Sequence, residues 1–99
     1  MLKTQAFREA FGLAIPIVQA PMAGSNGATL AAAVSGAGGM GSLPCAMLSP
    51  DRIREEIAAI RSATANPFNI NFFTHTDPLP DEAAQARWRA RLRPYYDEM

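Results

Sequence analysis

The segment Gln19-Ala20-Pro21-Met22-Ala23-Gly24, directly after the apolar run Ile15-Pro16-Ile17-Val18, carries the clearest chemical signal in the chain. A short buried strand ending in a loop punctuated by Pro and Gly can offer backbone groups and one soft thioether to a flat ligand. Barrel enzymes do this at the C-terminal ends of their strands. Ala23 and Gly24 leave their backbone amides uncovered, within reach of a ligand's polar edge. Met22 admits two readings, ligand contact and core filling. Pro21, Met22, Ala23 and Gly24 are the first candidate site residues.

Asn71 is the next, set inside the apolar stretch Ile70-Asn71-Phe72-Phe73. A buried carboxamide needs about three or four hydrogen-bond partners, or costs a few kcal/mol. We favour an amide reaching into a barrel mouth toward a bound ring over one satisfied by neighbouring backbone. Asn69, two residues earlier, is expected on the same face but lower.

Other chemistry-bearing residues read as structural. His75 is the single histidine, and no Ser, Asp or Glu stands placed to orient it as a base, so it reads as a loop residue. Cys45 has no CxxC or metal-ligand companion. Neither a catalytic residue nor a metal site is assigned. Gly36-Ala37-Gly38-Gly39-Met40-Gly41 matches G-x-G-x-x-G literally, but a helix precedes it and a strand comes after, the reverse of a dinucleotide site. Its glycines instead permit a tight turn and close helix–sheet approach. Arg87, Arg89, Arg91 and Arg93 spread around a helix, with acidic residues nearby, and read as a solvated surface.

Hydrophobic periodicity and cap residues define the scaffold that carries these side chains. Residues 3–11 predict an amphipathic helix stopped at Gly12. Residues 15–19 predict a buried parallel strand, and 28–36 an alanine-rich helix closely packed on a sheet. A second strand is predicted at 40–43. Ser49-Pro50-Asp51 starts a helix whose inner face holds Ile53, Ile57 and Ile60. Residues 68–73 predict a third strand, and residues near 81–92 a last helix ending by Pro94, with Trp88, Tyr95 and Tyr96 packing it against the barrel or a neighbour. Alternating helices and strands argue parallel βαβ units, an α/β fold.

The chain has 99 residues, 48% of them hydrophobic, which is a globular composition with a modest core. Nine Lys and Arg balance nine Asp and Glu, so no long-range attraction to nucleic acid or an anionic membrane is expected. No run of roughly 18 apolar residues is present, and no secretory signal is convincing. A soluble cytoplasmic protein is expected, and the single cysteine is compatible with that. A closed (β/α)8 barrel takes about 250 residues. Residues 1–99 are therefore expected to be the N-terminal fragment of one barrel domain, its first three βα units, with bare strand edges.

Four stretches together resemble the nitronate monooxygenases: Pro16 to Gly24; Leu30 to Ser35 running into Gly38 to Leu43; Leu48-Ser49-Pro50; and Pro67 to Phe73. The resemblance implies an FMN-dependent (β/α)8 TIM barrel. It implies that Pro21, Met22, Ala23, Gly24 and Asn71 contact the flavin. The implied reaction is oxidation of an alkyl nitronate, such as propionate 3-nitronate, by O2 to a carbonyl compound and nitrite. In that family the catalytic histidine and the phosphate-binding glycine loops lie in the second half of the barrel, beyond residue 99, and His75 does not take the histidine's place. The chain alone is expected to be inactive. Alternatives are another FMN barrel, of the enoyl-acyl-carrier-protein reductase or NAD(P)H:quinone reductase type, and a non-catalytic fragment. Those reductases tend to have Gly-Gly-Met where this chain has Ala20-Pro21-Met22.

Overall fold

The computed structural model describes residues 3–99. Its elements are α1 (Lys3–Phe11), α2 (Ala28–Gly36), β1 (Gly41–Pro44), α3 (Pro50–Ala63), β2 (Phe68–Asn71) and α4 (Glu82–Asp97). β1 and β2 pair in parallel, Ser42 opposite Asn69 and Pro44 opposite Asn71. The fold is α/β with parallel strands, as the alternation predicts.

α1 ends at Gly12, and the Leu13 N–H closes onto the Arg8 carbonyl at 2.9 Å, a 6→1 Schellman bond. α3 starts as its residues dictate: the Ser49 hydroxyl accepts the Arg52 N–H at 3.2 Å, Pro50 occupies the first turn, and Asp51 faces the positive end of the helix. α2 has only Gly27 at its N-cap and no cap from its own side chains. Glu56 of α3 supplies one, its carboxylate accepting the Ala28 N–H at 2.8 Å. Arg52 pairs with the other oxygen of the same carboxylate.

The core lies between the two helices and the sheet: Ala28, Ala31, Leu43, Cys45 and Ile60, flanked by Ile53, Ile57 and Phe68. α2 presses so closely on β1 that a Cβ at Gly41 would fall against the Ala31 backbone carbonyl. Gly38 takes φ +95°, and a Cβ there would stand 2.6 Å from that of Ala14. The glycine run is thus a packing device, as its helix-then-strand context requires. Buried Ser35 accepts the Gly41 N–H at 2.9 Å, satisfying both groups.

Three expectations are corrected. The strand predicted over 15–19 shrinks to one bridge, Val18 opposite Met40. The Met40 N–H donates to Ile17 O and Met40 O accepts from Gln19 N, as a parallel ladder requires. The next rung would need an N–H from Pro21, which has none. On the other side of the bridge the Ile17 N–H turns back onto Ile15 O across Pro16. The third strand likewise stops at Asn71 rather than continuing to Phe73.

The last helix runs through Pro94 to Asp97 instead of ending before it. Pro94 removes one intrahelical bond, but among the described residues α4 has no extensive packing against another element, so a bend there disturbs little. Trp88, Tyr95 and Tyr96, expected to meet the barrel or a neighbour, are each more than 60% exposed within residues 3–99, which leaves them free for such a surface.

Candidate functional site

Pro21 ends the first pairing segment, and its missing donor shapes the loop on its C-terminal side. In an unbroken ladder the Ser42 carbonyl would accept from residue 21. Two side-chain amides take that role: Gln19 Nε2 and Asn26 Nδ2 both donate to Ser42 O, each at 3.3 Å. Gln19 Oε1 accepts the Ser42 N–H at 3.1 Å, so one carboxamide reproduces both halves of a backbone rung. Hydrogen-bond chemistry fixes the orientation of both amides, because an oxygen must face each N–H and an NH2 the carbonyl.

Asn26 also closes the loop on itself. Its Oδ1 accepts the Met22 N–H at 2.9 Å, while Met22 O accepts the N–H groups of Ser25 (3.1 Å) and Asn26 (3.3 Å). The Met22 peptide is therefore clasped from both sides. The Ala23 and Gly24 N–H groups engage no acceptor among the described residues, and Met22 is 50% exposed. A half-buried Pro21 precedes them.

Ala23, Gly24 and Asn26 line an open cleft of about 310 Å³ together with Pro44, Met47 and Glu56. Asn71, opposite Pro44 in the sheet, stands at the same end of the strands. It is half-buried, and its side chain makes no hydrogen bond among the described residues. Asn71 O accepts the Cys45 N–H at 2.9 Å, which ties the end of β2 to the turn after β1. Pro44 is thus the hinge between the two parts of the candidate site. It lines the cleft with Ala23 and Gly24 and pairs with Asn71, but Asn71 and Met22 do not line the cleft themselves.

Asn69 shares Asn71's face, as expected, but it is already committed, donating from Nδ2 to Ser42 Oγ at 3.2 Å. His75 lies on the exposed segment after β2, its ring stacked on Phe73 at 5.3 Å. Cys45 is buried, with its Sγ 3.6 Å from Leu43 O. Burial is the chief force raising this thiol's pKa, a backbone hydrogen bond with Asn71 opposes it, and the Glu56 charge adds to the rise. Among the described residues no cluster of His, Cys, Asp and Glu could hold a metal, and no helix is long and apolar enough to cross a membrane.

The residues suit a flat heteroaromatic group with a polar edge: two uncommitted N–H donors, an exposed thioether and an unpaired carboxamide at one end of a parallel sheet. Gln19 and Asn26 escape a reading of sequence alone, because their role is non-local. The usable signal is a proline where the ladder needs a donor, flanked by two carboxamides.

Comparison with known proteins gives these residues a context. A family model described as nitronate monooxygenase matches residues 5–97. A nitronate monooxygenase of Paraburkholderia phytofirmans is 42% identical over 87 residues, which are 88% of this chain and 24% of that protein. One from Pseudomonas aeruginosa is 39% identical over 95 residues, 96% of this chain and 27% of that protein. The chain spans about a quarter of the length of these relatives. Among solved structures, FabK from Thermotoga maritima superposes with TM-score 0.68 at 33% identity, over 77% of this chain and 24% of that one. A nitroalkane oxidase from Streptomyces ansochromogenes does so with TM-score 0.66 at 38% identity, over 93% and 26%. The fold class is that of a partial (β/α)8 TIM barrel, its first three βα units, with parallel strands.

Proposed function

The chain belongs to the nitronate monooxygenase family, and on that ground we propose that it forms one wall of an FMN site in an enzyme that oxidises alkyl nitronates. Residues 1–99 then make up the N-terminal part of a single barrel domain. Pro21, Met22, Ala23, Gly24 and Asn71 contact the flavin. The observation that carries this reading is the clasped Met22 peptide, which presents the free Ala23 and Gly24 amides beside an exposed thioether.

The chemistry FMN supplies when bound is electron acceptance from the anionic nitronate, with O2 completing conversion to a carbonyl compound and nitrite. The chain's own residues bind and orient. The Ala23 and Gly24 N–H groups donate to acceptors on the ligand's edge, and Met22 covers an apolar face. Asn71 adds a carboxamide able both to donate and to accept. None of these groups is a general base, so proton transfer falls to residues outside this segment, and His75 is not assigned to it. The substrate is a small nitronate such as propionate 3-nitronate.

A full-length polypeptide carrying this segment, purified with its flavin, tests the proposal. Nitrite release from propionate 3-nitronate with O2 uptake is the expected result. NADH oxidation with a quinone or an enoyl thioester, and no nitrite, would replace it with the reductase reading.

A further inference from the structure

The hydrogen bonds around Ser42 have a logic separate from cofactor contact. Pro21 leaves the Ser42 carbonyl without the backbone partner that a parallel ladder provides. A buried residue with an orphaned carbonyl costs free energy, and Ser42 is fully buried. Both amides that answer it come from the ends of one loop, Gln19 before Pro21 and Asn26 after Met22. The strand is therefore replaced by two tethers that converge on one oxygen.

Asn26 is the more consequential of the two. Its Nδ2 holds the loop to β1, and its Oδ1 holds the Met22 N–H, so one side chain links the sheet to the peptide that precedes the two free amides. Gln19 fixes the entry to the loop through both polar groups of Ser42.

We infer that Asn26, with Gln19, is a positioning residue that fixes the Met22-Ala23-Gly24 backbone to Ser42, so that a ligand meets donors already in place. The inference rests on the flavoprotein reading for the ligand's identity, but not for the anchoring. A loop ordered in advance spares the binding step the entropy of ordering it. Without Asn26 the same amides are present but mobile. The effect therefore falls on ligand affinity more than on the core, which lies on the other face of β1.

The test has two arms. In the first, amide hydrogen exchange is monitored in the flavin-free protein for wild type, Asn26→Ala and Asn26→Asp. Asn26→Ala is expected to speed exchange of the Met22 N–H about tenfold or more, as loss of one partnered donor implies, while β1 and α3 amides keep their protection. Asn26→Asp keeps an acceptor for Met22 but presents lone pairs to Ser42 O. It should therefore protect Met22 partly and still free the loop from β1.

In the second arm, FMN affinity and the bound flavin's absorbance spectrum are measured in the full-length polypeptide. Both variants should raise the FMN Kd about tenfold, and Gln19→Glu should do so less, keeping its bond to the Ser42 N–H. Unchanged Met22 exchange in Asn26→Ala, or FMN affinity unchanged in all three variants, would overturn the inference. If Asn26→Ala does not fold, Asn26→Asp and Gln19→Glu decide it. A wild type that shows the exchange pattern but takes up no flavin would sink the flavoprotein reading and leave the anchoring intact.

Discussion

At the scale of single residues, the candidate site separates groups that are free from groups already spent. Asn71 and Asn69 lie two apart on one face, yet the Asn69 side chain is bonded to Ser42 Oγ while the Asn71 side chain has no hydrogen-bond partner among the described residues. His75, near them in sequence, is stacked on Phe73 outside the sheet. In a full-length flavoprotein Asn71→Ala should therefore lower flavin retention about tenfold, while His75→Ala leaves it near wild type. Equal flavin content in the two purified variants would remove Asn71 from the site. Cys45 gives a second residue-level expectation. Its pKa is raised in the folded chain, mainly by burial, so the unfolded chain loses the thiol proton first as pH climbs. The thiol's contribution to stability is complete below the ordinary thiol pKa and disappears as pH rises through the higher native value. Denaturant titrations at neutral and strongly alkaline pH should show that decline in wild type and a smaller one in Cys45→Ala. A disulfide reagent at neutral pH should label Cys45 only after unfolding.

At the scale of elements, contact between α2 and β1 governs whether the sheet forms. Gly41→Ala sets a methyl group against the Ala31 carbonyl, backbone against backbone, where no side chain can yield. It should destabilise the chain by about 3 kcal/mol or more, read as a lost or strongly lowered thermal transition. Gly36→Ala, whose Cβ would meet nothing, is the control. Elements set by local chemistry were legible in the sequence: the Ser49-Pro50-Asp51 start of α3, the Gly12 stop of α1 and the Ile60 face of α3 all stand where the residues predict. Elements set by pairing across the chain were not. The 15–19 segment has the composition of a strand, but Pro21 denies it a second rung. The cap of α2 comes from Glu56, 28 residues away, which no local pattern encodes. Within the candidate site, the loop and Asn71 were visible as exceptions to their surroundings. The tethers from Gln19 and Asn26 were not, because their partner is a main-chain carbonyl that sequence does not mark.

At the scale of the whole molecule, the chain is expanded. Its radius of gyration is 19.2 Å, against about 13 Å for a compact domain of this length. Large apolar side chains stand exposed along the outer sheet edges and along α4, among them Ile70, Phe72, Trp88 and Tyr95. Exposed area of this kind marks a surface made to be covered. The 99-residue chain by itself should take up FMN weakly or not at all, since a barrel's phosphate site usually comes from the loops after its seventh and eighth strands. Fluorescence titration checks this, and tight stoichiometric uptake would contradict it. The Asn26-Gly27 pair sets an expectation for how the loop ages. Asn26 is followed by Gly27, whose nitrogen has no bulky side chain beside it and donates to no acceptor among the described residues. When that nitrogen attacks the Asn26 carboxamide carbon, ammonia leaves, and water then opens the resulting succinimide to aspartate or isoaspartate. Ageing of the protein would in this way cut the link to Ser42 without any mutation, and old preparations would lose their grip on the ligand before they lose their fold.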